Sequence, residues 1–216
     1  MEAFCMKVIA IISQKGGVGK TTLASHLAVK AASEGHTVGI IDLDPQGSLS
    51  AWAASREAEQ PYFIVADGAL KTQMKKLAQG GFDLIFIDTP PNSINTFDEM
   101  QVADFFLIPV KASPHDLRTI PATWELIQDK DRAAFVLNDV TSRSRIAWDS
   151  LQTLSQLGAV AGSITSRVTF AESQIDGRTI QEIEPKGKGA AEIGKIYRFL
   201  MEKLKQQGKN NEESPN

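Results

Sequence analysis

Five short apolar runs, Val8–Ile12, Val38–Ile41, Leu84–Ile87, Phe105–Val110 and Ala133–Leu137, are nearly unbroken instead of alternating with polar residues. A strand reads this way when both of its faces are covered, which is the condition of a parallel sheet held between helical layers. Weaker candidates lie at Tyr62–Ala66 and Ala159–Ile164. The intervals carry helical spacing. Leu23, Leu27 and Ala31, with Ala24 and Ala28 beside them, make one stripe that Gly35 stops, and Leu70, Met74 and Leu77 make another before Gly80-Gly81. Ser113 followed by Pro114 is the start signal of a further helix. Ile193, Ile196, Tyr197, Leu200, Met201 and Leu204 form one side of the last helix. This β-α-β-α rhythm predicts an α/β fold with helices on both faces of a parallel sheet. Ligands of such sheets bind outside the carboxyl ends of the strands.

The 216 residues suit a single domain, expected over 1–206, and a polar, flexible tail is expected over 207–216. Hydrophobic residues at 42% and charged residues at 23% are ordinary globular usage, so no disulfide or structural metal is needed to make a core. Cys5 alone allows no internal disulfide and no cysteine-rich metal site, which fits a cytoplasmic chain. No apolar run approaches the ~20 residues of a membrane span.

The first run passes directly into Ser13-Gln14-Lys15-Gly16-Gly17-Val18-Gly19-Lys20-Thr21-Thr22 and then into the Leu23 helix. Strand, glycine-rich loop and helix in this order form the context of a phosphate-binding P-loop. Glycines let backbone N–H groups converge on a phosphate without side-chain clash. Lys20 would reach the β- and γ-phosphates and the Thr21 hydroxyl would ligate magnesium. The usual spacing departs in one place: Gln14 occupies the first glycine position, and Lys15 is an additional lysine.

Two acidic segments end later strands. In Ile40-Ile41-Asp42-Leu43-Asp44-Pro45-Gln46-Gly47, the proline and glycine break the strand and leave both aspartates at the ligand edge. In Leu84-Ile85-Phe86-Ile87-Asp88-Thr89-Pro90-Pro91, a carboxylate at the end of a buried strand is placed to hold magnesium through water. Asn138 comes after the run Ala133–Leu137, where an asparagine is also a common turn former.

With its early lysine in Lys15-Gly16-Gly17-Val18-Gly19-Lys20-Thr21, the sequence resembles the ParA/MinD family of deviant P-loop ATPases, and most of all its small ParA-type partition members. The resemblance runs from Lys7 to about Leu204 and includes Ile108-Pro109-Val110 and the stretch Thr169-Phe170-Ala171-Glu172-Ser173 through Gly177-Arg178-Thr179. It implies a P-loop NTPase fold, three-layer α/β/α, with a mostly parallel, twisted sheet of seven or eight strands. It further implies that Lys15 crosses a dimer interface to the partner's nucleotide and that Gly16, Gly17, Val18, Gly19, Lys20, Thr21 and Thr22 cradle the phosphates. Asp44 would position the attacking water, Asp42 would stand in the outer shell of magnesium, and Asp88 with Thr89-Pro90-Pro91 would begin the second switch. Asn138 would contact the adenine edge and Pro185 would wall the base. ATP and Mg2+ are the implied cofactors. Slow ATP hydrolysis in an ATP-dependent homodimer, non-specific binding of double-stranded DNA, stimulation by a ParB-like centromere-binding protein, and a nucleoid-associated place in the cytoplasm are the implied activity, partners and localisation. The function expected is DNA segregation, or alternatively positioning of a protein cargo of the carboxysome or chemotaxis-cluster kind.

Charge bears on the DNA expectation. Residues 186–209 carry seven basic and two acidic side chains, net +5, on a chain whose total is −3. Lys186, Lys188, Arg198, Lys203 and Lys205, with Arg167 joining from elsewhere, are therefore the expected DNA contacts. Relatives with other chemistry fit less well. A membrane-bound MinD-type tail needs an apolar face that 207–216 lacks, iron–sulfur relatives need cysteine pairs, and a tyrosine kinase needs a cluster beyond Tyr62 and Tyr197.

Overall fold

The computed structural model describes residues 5–91 and 99–212. Among them, β1 (Lys7–Ile11), β2 (Val38–Asp42), β3 (Tyr62–Phe63), β4 (Leu84–Asp88), β5 (Phe105–Lys111), β6 (Ala133–Val140) and β7 (Val160–Thr165) form a seven-stranded sheet. Its order is β3-β2-β4-β1-β5-β6-β7, and every pairing is parallel. The helices are α1 (Lys20–Ser33), α2 (Ser48–Ala54), α3 (Leu70–Gln79), α4 (Pro114–Leu117), α5 (Ile120–Leu126), α6 (Arg145–Leu157), α7 (Val168–Ser173), α8 (Ile180–Ile183) and α9 (Lys188–Glu212).

The unbroken apolar runs have the expected cause. In β1, Ile9 and Ile11 join one core layer with Leu23 and Leu27 of α1 and Ile193 and Leu200 of α9. Val8 and Ala10 join the opposite layer with Met74 of α3 and Leu154 of α6. Phe86, Phe105 and Phe135 are among the largest fully buried side chains. Helix α1 is buried on more than the expected stripe, because Ser25, His26 and Val29 are covered as well. It lies against β1, β2 and β4 on one side and α2, α8 and α9 on others.

Several boundaries differ from those expected. The run Tyr62–Ala66 yields only the two residues of β3, a short edge strand paired with β2 alone. Strand β6 continues to Val140, so Asn138 lies within it, in register with Lys111 of β5, and not after it. Helix α9 continues through 207–212, into the segment expected as a polar tail, and residues 213–216 lie outside the described residues. The sheet order turns back at β1, which has β4 on one side and β5 on the other. The crevice at the carboxyl end of that switch point is where a ligand is expected in this architecture.

Phe86 is fully buried at the centre of the sheet. Phe86→Ala is expected to cost about 3–5 kcal/mol through lost burial and the cavity left behind, seen as a lowered urea midpoint at unchanged slope.

Candidate active site

Register brings the three motif segments to one level. Ile11 pairs with Asp88 across β1 and β4, and Asp42 pairs with Asp88 across β2 and β4. Immediately beyond Ile11 the chain turns through the glycine-rich loop into α1. Gly17 and Gly19 have φ of 72° and 95°, values that L side chains rarely adopt. A Cβ on Gly19 would also run into the amide of Asn138. The loop borders a cavity of about 720 Å³, lined by Gly16, Gly17, Lys20, Thr21, Asp44 and Gln174 among others. An adjoining cavity of about 360 Å³ shares Gly17, Gly19 and Thr22 and adds Asn138, Thr165 and Phe170. The first takes in the loop, Lys20 and Asp44, and the second takes in Asn138 and the ring of Phe170.

Lys20 is buried at the start of α1. Burial lowers its pKa, while the carboxylates of Asp88 and Asp44 pull it back up. Asp88 is fully buried, and burial pushes its carboxyl up to about 7 against the hydrogen bond from Thr21. The Thr21 hydroxyl donates to Asp88 Oδ2 at 2.5 Å. Asp88 Oδ1 is buried with no hydrogen-bond partner among the described residues. An unshared carboxylate oxygen beside a hydroxyl is a donor set suited to a hard divalent cation that keeps its waters, so these residues fit magnesium.

The other expected residues are placed unequally. Asp44 lines the larger cavity while its Oδ1 accepts from the Gln46 N–H at 3.0 Å. Asp42 accepts from the Asp44 N–H at 3.0 Å and from the N–H and hydroxyl of Ser50, both at 2.9 Å. Its visible task is thus to fold the 44–50 turn. Thr89 donates to the Ile11 carbonyl, and Pro91 reaches the larger cavity. The remainder of the second switch, residues 92–98, lies outside the described residues. Val18 is buried, and its carbonyl accepts a hydrogen bond from Asn138 Nδ2 at 2.8 Å. Asn138 therefore steadies the loop as well as lining the second cavity.

Lys15 does not line either cavity: its ammonium is paired with the buried carboxylate of Asp116. Pro185 is not brought to the site. It borders a different cavity with Val29, Lys30 and Arg198, at the far end of α1 from the loop, because the α8–α9 connection packs there. The second cavity is lined instead by residues of the 164–174 stretch. Arg167, expected among the DNA contacts, is engaged within the chain. Its guanidinium grips Glu192 of α9 through two nitrogens at 2.6 and 2.8 Å, so it is a clamp between elements and not part of a free basic patch.

A family described as "CobQ/CobB/MinD/ParA nucleotide binding domain" matches residues 9–180. The chain belongs to the ParA/MinD family of P-loop ATPases. It is 33% identical over 202 residues to "Maintenance of carboxysome distribution protein A" of Halothiobacillus neapolitanus, covering 87% of this chain and 93% of that one. It is 26% identical to "Chromosome-partitioning ATPase Soj" of Thermus thermophilus, covering 91% and 94%. The fold is similar to that of MinD in the MinC:MinD cell division protein complex of Aquifex aeolicus, with a TM-score of 0.74, 21% identity and coverage of 90% and 96%.

This ParA/MinD-family site has supports that the motif reading missed. Trp52 of α2 donates to the Arg178 carbonyl at 3.1 Å, and Arg56 binds the Gly177 carbonyl and Glu182. Glu182 in turn closes a capping box on Thr179, a Thr-x-x-Glu signature that the sequence does display. His26, fully buried, contacts the Thr22 carbonyl through Nδ1 at 2.8 Å, and its Nε2 accepts from the Ile180 N–H at 3.1 Å. Both contacts are satisfied by the neutral ring.

Burial lowers the His26 pKa to about 4. Between that value and the ordinary ~6.5 the unfolded chain binds the extra proton, so stability rises with pH there. The contribution is present in full above pH ~6.5 and is lost as pH falls toward 4, a change on the order of 3 kcal/mol. His26→Gln is expected to flatten that part of the stability–pH curve measured by urea unfolding; an unchanged slope would contradict the neutral-ring assignment.

Proposed function

We propose that this chain is a ParA-type positioning ATPase whose cargo is a protein assembly. The observation that carries the choice of cargo is the 33% identity over 93% of the length of a protein named for maintaining carboxysome distribution. DNA segregation, the first expectation from the sequence, is the second reading. The 26% identity to a chromosome-partitioning ATPase supports it less strongly. Both readings share one cycle: ATP binding pairs two copies, the pair binds double-stranded DNA without sequence preference, and a partner protein on the cargo stimulates hydrolysis and release. A ParB-like, centromere-binding partner belongs to the second reading only.

In this cycle the loop N–H groups and Lys20 hold the β- and γ-phosphates, where buried positive charge acts more strongly than it would in water. Magnesium held by Thr21 and, through water, by Asp88 would neutralise charge on the transferring phosphoryl group. Asp44, at the cavity wall, orients the attacking water. Asp42 serves by holding the loop that carries Asp44, with any outer-shell contact to the metal in addition. Lys15 supplies a positive charge to the nucleotide of the paired copy, a contribution whose arginine equivalents are worth roughly 10³–10⁵ in rate. Asn138 and the 164–174 stretch receive the adenine.

Exposed Lys186, Lys188, Lys195, Arg198 and Lys205, with half-buried Lys203, give α9 and its approach the basic surface for DNA. Nucleoid association follows from that surface.

Asp44→Ala is expected to bind ATP and pair while hydrolysing it at least tenfold more slowly, about 1.4 kcal/mol in barrier. Wild-type turnover would remove Asp44 from the water-positioning role. Reversing Arg198 and Lys203 to glutamate is expected to abolish salt-sensitive DNA binding in a fluorescence-anisotropy titration with ATP binding intact. The cargo is tested by adding proteins encoded beside this one to the DNA-stimulated ATPase assay. Stimulation by a protein that binds a protein shell supports the positioning reading, and stimulation only by a protein bound to a DNA repeat favours segregation.

A further inference from the structure

Lys15 has two neighbours that its motif does not explain. Its ammonium is paired with Asp116 Oδ1, and His115 Nδ1 stands 3.4 Å away. Asp116 belongs to α4, which comes after β5, the strand next to β1 in the sheet. Its side chain is 4% exposed. The carboxylate is built into place: the Ser113 hydroxyl donates to Oδ2 at 2.8 Å, while the same oxygen of Ser113 accepts the Asp116 N–H at 3.1 Å. Nearby, the Lys15 N–H donates to Ser13 Oγ at 3.2 Å and the Gln14 N–H to Thr123 Oγ1 at 3.4 Å. The backbone before Gly16 is thereby anchored, and the freedom lies at Gly16, Gly17 and the Lys15 side chain.

We infer that Asp116 is a positioning residue for Lys15, holding its ammonium off the phosphate cavity in a single subunit and releasing it only to a second, nucleotide-bound copy of this chain. This deepens the proposed trans role of Lys15 and rests on it. In this arrangement Gly16 lines the cavity while Lys15 turns away to the α4 side. A carboxylate this buried resists losing its cation, because an uncompensated charge in the interior is strongly unfavourable. Lys15 therefore leaves only for a competing anion of comparable strength. The phosphates presented by a paired copy are that anion, whereas the subunit's own nucleotide lies on the other side of Gly16. The pair Lys15–Asp116 thus sets how much ATP-bound protein is needed before two copies join and hydrolysis begins.

Hydrolysis is measured against protein concentration for the full chain and for Asp116→Asn, Lys15→Ala and the double variant. In Asp116→Asn, which keeps the shape and removes the charge, the concentration giving half-maximal turnover per subunit is expected to fall about tenfold, the scale of one charge-assisted hydrogen bond. In the Lys15→Ala background the same substitution is expected to change nothing, which separates positioning from a structural role, since a structural defect would depress both backgrounds. A second readout does not involve pairing: acylation of Lys15 by an amine-reactive ester, followed by mass spectrometry on nucleotide-free protein. Lys15 is expected to react slowly in wild type, several times faster in Asp116→Asn and slowly again in Asp116→Glu. Should Asp116→Asn not fold, Ser113→Ala, which removes one hydrogen bond from the carboxylate, is expected to shift both readouts the same way by less. If Lys15→Ala is slow but neither midpoint nor acylation moves in the Asp116 variant, the positioning role is overturned alone. If Lys15→Ala turns over like wild type, the trans role of Lys15 falls first and the inference with it.

Discussion

The ladder between β1 and β4 is the constraint on which the site depends. Parallel strands buried on both faces have no polar positions in their length, so their charged residues collect where the strands emerge. Because Ile11 is in register with Asp88, and Asp88 with Asp42, the emerging ends are level. A slip of one residue would turn Asp88 to the other face of the sheet. The Thr21 hydroxyl, one residue into α1, would then lose its carboxylate partner. The chemistry of the phosphate loop is in this sense set by the packing of Ile9, Ile85 and Phe86, which fix the register from within two core layers.

Helix α1 carries that constraint outward. It begins at Lys20 and is covered over most of its length, so it cannot tilt without disturbing the sheet or α9. His26 bonds Thr22 within α1 and Ile180 beyond it, which ties the first turn of α1 to α8. Arg56 and Trp52 make a parallel tie from α2 to the 177–182 stretch. Gly177 is required there, since a Cβ would collide with the backbone of Arg56 and its φ is 69°. Two routes therefore anchor the stretch that precedes α9 to the helices on either side of the nucleotide cavity.

The sheet was legible because continuous apolar runs leave a sequence little other choice, and all seven strands begin and end within three residues of the runs that predict them. The edge strand β3 was the weak one, as expected where pairing is one-sided. The gathering of Lys20, Thr21, Asp44 and Asp88 at one edge of the sheet was legible because motif and strand end coincide. What the sequence hid depends on contacts between distant segments. Pro185 and Phe170 are both late residues on short helical connections, and only the packing of α7 against the loop and of the α8–α9 turn against the far end of α1 decides which one meets the cavity. Arg167 looked like one more surface cation, yet Glu192, 25 residues away, claims it. Asp116 carries no motif of its own, and the partner that singles it out, Lys15, lies 101 residues earlier.

That Arg167–Glu192 pair changes the electrostatics of the last helix more than a charge count conveys. Of the two acids within 186–209, Glu192 spends both carboxylate oxygens on Arg167 and on the Thr165 N–H and hydroxyl. Only Glu202 is left on α9 to oppose its exposed cations before residue 209. Lys203 lies with its ammonium 5.9 Å from the Phe199 ring, so part of its stem runs along the apolar side of the helix. Arg198 stands over Gly194, where the absence of a side chain leaves its guanidinium room along the helix surface. A row of lysines and arginines with few fixed partners suits a repeating phosphate backbone, whose charges are met by position along a line and not by one shaped pocket. The same row is poorly suited to a single phosphate group, which calls for donors that converge on one point.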